Sequence, residues 1–283
     1  MTQEKIAIIT GSSSGIGLLT AVELARNGSR VVATMRDLGR SGKLEEAAQK
    51  AGVRDRLELR RIDITETDAL ADAVADIARH HGRIDVLVNN AGFTCAGFAE
   101  DITLAELRHQ METNFFGTVA MTKTVLPIMR RQRSGHIIQL SSIGGRVATP
   151  LLSSYAASKF ALEGWSETLR IELRALGIRV VLIEPGPYDT DIWERNLVLG
   201  KQAVHPDSPN KERSRRFAEF VKSTASERRD AREVAEVIVR VANDPHPRLR
   251  YLLGPNVKSR VWLRALLPWK RYERAVAKVT RID

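Results

Sequence analysis

Tyr155 and Lys159 stand four residues apart in a stretch, 154–175, that reads as helix. Four residues advance a helix by about 400° and 6 Å, so both side chains leave one face. A phenol ionises near pH ~10, too high to cycle protons efficiently near neutrality. Moving it to about 7 requires roughly 4 kcal/mol. A single cation about 4 Å away supplies on the order of 4 kcal/mol at an effective dielectric of about 20. The pair therefore suits acid–base chemistry on a carbonyl or alcohol oxygen, with Lys159 nearly sufficient to lower the phenol. Taken alone, the spacing equally suits a packed tyrosine beside a solvated lysine, so its meaning depends on what surrounds it.

A second chemical signal lies near the N-terminus. The apolar run 6–10 passes directly into Gly11-Ser12-Ser13-Ser14-Gly15-Ile16-Gly17 and then a helical stretch, 18–27. A tight turn opening a helix delivers backbone N–H groups and the positive helix end to a pyrophosphate, and glycines are needed where a side chain would block it. The spacing is Gly-x-x-x-Gly-x-Gly, which differs from the general dinucleotide fingerprint.

The elements that must hold these residues alternate along the chain. Strands are expected at 6–10, 30–34, 57–62, 84–89, 136–140, 178–184 and 249–253, nearly continuous apolar runs of the kind covered on both faces. Helices are expected between them. Residues 65–81 place Leu70, Val74, Ile77 and Ala78 on one stripe, with Thr65 as N-cap and Gly82 as stop, and 230–243 repeats the pattern. Such alternation predicts a parallel sheet with right-handed helical crossovers. One long irregular stretch, 185–229, carries Pro187, Pro206 and Pro209, the charged run 211–216 and a possible helix at 217–222; it is expected to be a functional lid.

Together the motifs resemble those of the short-chain dehydrogenase/reductase family, over roughly residues 4–255. The glycine loop is followed, in the family's order, by Asp63 after the third strand and Asn89-Asn90-Ala91-Gly92 after the fourth. Asn114 falls in a predicted helix, Ser142 follows the fifth strand, and Tyr155-x-x-x-Lys159 and Pro185-Gly186 come next. The resemblance implies an α/β fold, a Rossmann-like doubly wound parallel sheet of about seven strands in a single domain. It also implies a catalytic tetrad of Asn114, Ser142, Tyr155 and Lys159. Ser142 would orient the substrate oxygen, Tyr155 would exchange its proton, and Asn114 would hold a water that relays protons to Lys159. Hydride would pass between nicotinamide and a carbonyl carbon. The cofactor would be held by Gly11, Ser13, Ser14, Gly15, Ile16, Gly17, Arg36, Asp63, Ile64, Asn90, Ala91, Gly92, Tyr155, Lys159, Pro185, Gly186 and Thr190. Asp63 would bind the adenine amino group and Thr190 the carboxamide, although turn chemistry alone could account for Asn89 and Asn90, and capping for Asp189 and Asp191.

Cofactor choice is read after the second strand, in Met35-Arg36-Asp37. Members that prefer NAD place an acid where Met35 stands. With that acid absent and Arg36 able to pair with a 2′-phosphate, NADP(H) is expected to be preferred, with NAD(H) possible. Asp37 could partly neutralise Arg36 or turn toward the ribose. The Ala-Thr-Met-Arg-Asp-Leu stretch resembles the 17β-hydroxysteroid and retinol dehydrogenase-like subgroup, which implies a large apolar carbonyl or alcohol as substrate. Phe93, Leu151, Leu152, Tyr188 and Trp193 are candidate lining residues.

Composition sets the remaining bounds. Of 283 residues, 43% are hydrophobic and 28% charged, enough for a sizeable core and a solvated surface. No apolar run approaches the roughly 20 residues of a membrane span, the first strand begins too early for a signal peptide, and the lone Cys95 cannot form an intrachain disulfide. A cytoplasmic enzyme, homodimeric or homotetrameric, is expected. The six histidines show no metal spacing, so no metal site is expected. Of the net charge of +10, residues 248–283 carry +8, and the other 247 residues carry only +2. Residues 1–255 are thus read as the catalytic domain, with its lid at about 185–229, and 256–283 as a basic amphipathic extension. A nucleic-acid binder would carry such charge on its recognition element, so no nucleic acid is expected. Basic residues beside Trp262, Leu266 and Trp269 admit weak contact with a membrane surface; the favoured alternative is that these apolar residues pack on the enzyme body or a second subunit. A dinucleotide-sensing protein without turnover, or a peripheral membrane protein retaining the fold, are the rival functions.

Overall fold

A computed structural model of the chain describes residues 4–190, 196–280 and 282. Seven strands form one sheet: β1 Ile6–Thr10, β2 Arg30–Met35, β3 Leu57–Arg61, β4 Val86–Asn89, β5 Gly135–Leu140, β6 Ile178–Pro185 and β7 Arg250–Leu253. Their spatial order is β3-β2-β1-β4-β5-β6-β7, and every pairing is parallel. The order reverses between β1 and β4, which opens a crevice beyond the carboxyl ends of those two strands.

Alternating side chains build the two layers. Ala7, Ile9, Val31, Ala33, Val86 and Val88 face helices α1 (Gly15–Arg26), α2 (Gly42–Lys50) and, through Val234 and Ile238, a helix over Arg232–Asn243. Ile8, Val32, Leu87, Ile137 and Val180 face the opposite layer. There Leu70, Val74 and Ile77 of α3 (Thr67–His81) pack with Met121, Val125 and Met129 of Thr118–Gln132 and with Leu169 and Leu173 of Ser153–Leu173. Because both faces are covered, the strands lack the alternation of a half-exposed sheet.

Several local expectations change in detail. Helix α3 starts at Thr67, and Thr65 does not cap it; its N–H and hydroxyl both donate to Asp63 Oδ1, at 3.0 and 2.7 Å. Gly82 stops the helix as expected, at φ +74°. His81 at that helix end bonds Glu58 at 2.9 Å. His80, His81 and Glu58 bring ligand-type atoms within 4.8 Å of one another, but Arg60 pairs with the same carboxylate and disfavours a cation there.

After Leu104–Met111 (α4) the chain makes one π-helical turn, Glu112–Gly117, before the helix resumes as α5, Thr118–Gln132. Asn114 therefore lies in an irregular turn and not in a regular helix. Such a turn changes the backbone bonding partners and often marks a functional site.

The long stretch after β6 is more ordered than its composition suggests. Tyr188–Asp189 pairs with Arg229–Asp230, and Leu197–Leu199 pairs with Thr94–Ala96 just beyond β4. The charged run begins a helix, Lys211–Ser223, whose Glu212 is paired with Arg215 and Arg216. Residues beyond Gly254 form two helices, Val257–Leu266 and Trp269–Thr280, separated at Pro268. Val257, Tyr272, Val261 and Val276 pack on Ile143, Val147 and Leu252, which fixes the pair beside the crevice. Trp262, Leu266 and Trp269, however, are 64%, 73% and 56% exposed. The expectation that they pack on the body of this chain is thereby overturned, because Val257, Val261 and Tyr272 fill that role.

Candidate active site

The turn from β1 to α1 is shaped by contacts that exclude side chains. Gly11 has φ +68°, and a Cβ there would stand 2.8 Å from Ala91 Cα. A Cβ on Gly17 would collide with Gly11 O and the Asn90 amide. That amide donates to Thr10 O and Gly11 O, both at 2.9 Å, while Thr10 Oγ1 accepts from the N–H groups of Asn90 and Ala91 at 3.0 Å. Asn90 therefore staples the end of β4 to the loop. Asn89 serves the fold, donating to Thr122 Oγ1 at 2.8 Å. Helix α1 has no side-chain cap and no acid in its first turn, so its leading N–H groups remain available to an anion. A dinucleotide's pyrophosphate fits this cradle.

One cleft of about 1380 Å³ runs from this loop across the crevice. That is larger than most single-ligand pockets and suits a dinucleotide with a second molecule. Gly11, Ser13, Ser14, Gly15, Ile16, Arg36, Asp63, Ile64, Asn90, Ala91, Gly92, Pro185, Gly186 and Thr190 all line it, and only Gly17 of the expected cofactor residues lies beneath the surface. Thr190 faces the loop, 3.7 Å from where a Gly15 Cβ would stand. Asp191 lies outside the described residues. Burial alone would raise the Asp63 carboxyl; hydrogen bonds from Thr65 and the charges of Arg36 and Arg61 hold it below the usual carboxylate range. Asp37 does not neutralise Arg36. Its Oδ1 accepts from Gly39 N at 2.9 Å and caps the turn Leu38–Arg40. That turn carries Arg40 to the same end of the cleft. Arg40 was not singled out in the sequence, where the only cue was a second base in a short loop.

The four expected catalytic residues converge on the middle of the cleft, from three separate elements. Ser142 follows β5; its Oγ accepts from Gly144 N at 3.0 Å and hydrogen-bonds Tyr155. Tyr155 and Lys159 project from Ser153–Leu173 (α6) and are 9% and 7% exposed. Lys159 Nζ donates to Leu140 O at 2.7 Å and lies 5.7 Å from the centre of the Tyr155 ring. Asn114 does not touch Lys159. Its amide donates to Phe93 O and Ser158 Oγ at 3.0 and 3.2 Å, and its Oδ1 accepts from Phe93 N at 3.1 Å. It ties the chain after β4 to α6.

Beyond Tyr155 the walls are mainly apolar, with the partly buried cation of Arg260 among them. Phe93, Leu151 and Leu152 line the cleft as expected, joined by Phe217, Leu263 and Val276. Tyr188 is buried in the main core and gives the cleft only an edge, and Trp193 lies outside the described residues.

The family model of the short chain dehydrogenases matches residues 5–197. Over 276 residues the chain is 40% identical to the uncharacterized oxidoreductase YusZ of Bacillus subtilis, covering 97% of this chain and 98% of that one. It is 38% identical to retinol dehydrogenase 8 of Homo sapiens, over 87% of this chain and 80% of the relative. A short-chain dehydrogenase from Streptomyces avermitilis superimposes with a TM-score of 0.81 at 31% identity, covering 99% and 98% of the two chains. The chain belongs to the short-chain dehydrogenase family.

The electrostatics of this short-chain dehydrogenase depart from the simple estimate. Burial pushes the Tyr155 phenol above its ordinary value, opposed by the Ser142 hydrogen bond. Lys159 does not offset this, because its own ionisation lies below that of the phenol, so it is neutral before Tyr155 ionises. Burial in turn draws Lys159 down to about 8, with Glu163 one turn away opposing the fall. The free protein therefore holds a protonated phenol beside a weakened cation, an arrangement able to give a proton to an oxygen placed against Ser142.

The sign of the Lys159 shift makes a prediction. A buried lysine whose native value is about 8 destabilises the fold below pH 8 by roughly 3 kcal/mol. The penalty fades as pH rises from 8 toward the unfolded value of about 10.4. Lys159→Met should raise the thermal midpoint at pH 7, and its advantage should shrink between pH 8 and 10. Scanning calorimetry at a series of pH values would check this; a lower midpoint at pH 7 would contradict it.

Proposed function

We propose that the enzyme interconverts a large apolar carbonyl compound and its alcohol, with NADP(H) as the preferred cofactor. The observation that carries this is one continuous cleft with Arg36 and Arg40 at its dinucleotide end, buried Tyr155, Lys159 and Ser142 at its centre, and mainly apolar walls beyond. When bound, the nicotinamide supplies or accepts the hydride. Ser142 orients the substrate oxygen. Tyr155 gives its proton to that oxygen in reduction and removes it in oxidation. Lys159 holds positive charge beside the phenol. Asn114 fixes the turn after β4 against α6, and its place in the π-helical turn suits the water relay. The name of the retinol dehydrogenase relative accords with an apolar substrate, and NAD(H) is proposed as the less favoured cofactor.

Exposed Phe116, Phe160 and Ile171, on the turn before α5 and on α6, support a homodimer or homotetramer. Tyr155→Phe should leave cofactor binding intact and lower kcat on apolar ketones by about 10²–10⁴-fold. A variant retaining a tenth of wild-type turnover would overturn the role of Tyr155. A wild type that binds NADPH yet turns over no member of a carbonyl and alcohol panel would favour a sensing protein.

Arg36 has no carboxylate within ion-pairing distance among the described residues, which supports its reading of a 2′-phosphate. Charge-assisted hydrogen bonds are each worth about 1.5–3 kcal/mol. Arg36→Ala should therefore weaken NADPH by roughly 10- to 1000-fold and leave NADH nearly unchanged, as measured by titration calorimetry. Arg40→Ala should act in the same direction. Equal losses for both cofactors would show that these residues only support the loop.

A second reading concerns the C-terminal helices, and the exposure of Trp262, Leu266 and Trp269 favours it. Lys258, Lys270 and Arg271 are exposed beside them, and Leu263 and Leu267 carry the apolar surface to the cleft. Two copies meeting through this face would oppose like charges, whereas an anionic bilayer complements it. Each cation near such a surface contributes about 1 kcal/mol, enough together for weak docking where apolar substrates dissolve. No helix among the described residues is long and apolar enough to cross a membrane. The protein should float with phosphatidylserine vesicles at low salt, and replacing Trp262, Leu266 and Trp269 with Ser should abolish flotation. These substitutions spare Val257, which is fully buried and which truncation after Gly254 would remove. Flotation unchanged by the substitutions would refute the reading. Loss of oligomerisation on substitution would assign the face to a second copy.

A further inference from the structure

Behind Lys159, away from the cleft, lies a cluster of charge that the proposed reaction does not use. Glu163 follows Lys159 by one turn of α6 and is 4% exposed; Glu184, near the end of β6, is fully buried. One guanidinium joins them. Arg250 of β7 lies 3.0 Å from Glu163 Oε2 and 2.9 Å from Glu184 Oε1, and also pairs with exposed Glu167. Arg146, from the turn after β5, reaches Glu184 only at 3.8 Å. Ser141 packs in the same place: a Cβ on Gly145 would lie 2.9 Å from Glu163 Cγ, 3.0 Å from Ser141 Oγ and 3.1 Å from Lys159 O.

Two buried carboxylates share one close guanidinium, while Arg146 and Lys159 act on them only from farther off, so two full negative charges would be poorly compensated out of water. Glu163 Oε1 and both Glu184 oxygens receive no well-directed hydrogen bond. The two carboxyls are within hydrogen-bonding reach of each other. A single proton between them removes the excess charge and satisfies one of these oxygens, as in other carboxyl pairs that cannot both ionise.

We infer that Glu163 and Glu184 share one proton, and that the fraction of negative charge this leaves on Glu163 sets the charge state of Lys159. The inference rests on Lys159 acting as the cation beside Tyr155. Glu163 and Glu184 are then positioning residues, with no contact to substrate. Burial raises both carboxyls, Glu184 to about 7, while Arg250 and Arg146 oppose the rise. The groups around Lys159 are Tyr155 and Glu163 on its own helix, the Leu140 carbonyl of β5, Ser142 and, farther off, Glu184 of β6 and Arg250 of β7. No carboxylate lies within ion-pairing distance of its ammonium among the described residues, so Glu163 acts on it through its field.

Two isosteric variants then have opposite effects. Glu163→Gln removes the negative charge, so Lys159 loses its proton more readily. The basic limb of kcat/KM for the cofactor should move down by about one pH unit. In Glu184→Gln the competing carboxyl is gone and an amide can donate to Glu163, which ionises fully; the basic limb should move up. Glu163→Asp should restore most of the wild-type profile. Shifts in the same direction, or activity reduced at every pH with the limb unmoved, would overturn the inference and leave a purely structural cluster. Infrared spectra of the wild type should also show one protonated buried carboxyl at neutral pH, absent in both Gln variants. Its absence from the wild type would overturn the inference whether or not the variants fold. Because that spectrum needs no turnover, failure of the carbonyl reaction itself would be recognised separately.

Discussion

Lys159 is only 7% exposed, and much of the surrounding architecture answers to the burial of its ammonium group. The carbonyl of Leu140, at the end of β5, accepts its hydrogen bond at 2.7 Å. That carbonyl is available because the strand ends there, at the carboxyl edge where a parallel sheet places its ligand crevice. Glu163, one turn behind, would keep a share of negative charge. Asn114 in the π-helical turn ties this part of α6, through Ser158, to the chain after β4. A lysine left in solvent would cost the fold less. The proposed reaction would thus rest on a group that weakens the fold, a common feature of active sites.

The same sheet explains how the glycine loop and the Tyr155–Lys159 pair, so distant in sequence, come to share one cleft. Gly11 follows β1, Asn90 follows β4, Ser142 follows β5 and Pro185 ends β6. In a parallel sheet all these ends lie on one edge, so four short segments with different chemistry meet without any long-range design in the loops. Helix α1 contributes its uncapped N-terminus, and α6 crosses the edge with Tyr155 and Lys159. The C-terminal helices then close the apolar side, which gives a stretch that appeared to be an appendage a part in the cleft itself.

Features set by local chemistry were legible in the sequence. The five inner strands were visible because both of their faces are buried, and the glycine loop because its φ values and close contacts permit nothing larger. Gly82 could be read as a helix stop and Tyr155-x-x-x-Lys159 as one helix face. Features set by distant partners were not legible. Asp37 could be seen beside Arg36, but its turn toward Gly39 depends on backbone geometry. Thr65 had the composition of a cap, yet Asp63 captured it. Lys159 was expected to face the phenol, and its preference for the Leu140 carbonyl required the sheet. Glu163, Glu184 and Arg250 are separated by 21 and 66 residues and carry no shared motif. The outward face of Trp262, Leu266 and Trp269 is set by which side of the helix Val257 and Val261 commit to the core.

Burial keeps Tyr155 protonated in the free protein, and we propose that the positive charge an oxidised nicotinamide would bring beside the phenol draws its ionisation down toward neutrality. The direct measurement is tyrosinate absorbance against pH, taken as the difference between wild type and Tyr155→Phe, with and without NADP⁺. Without cofactor the difference should show no ionisation below about pH 10, and with NADP⁺ the transition should fall by several units. Ionisation near neutrality in the cofactor-free protein, or a transition that NADP⁺ does not move, would contradict the account.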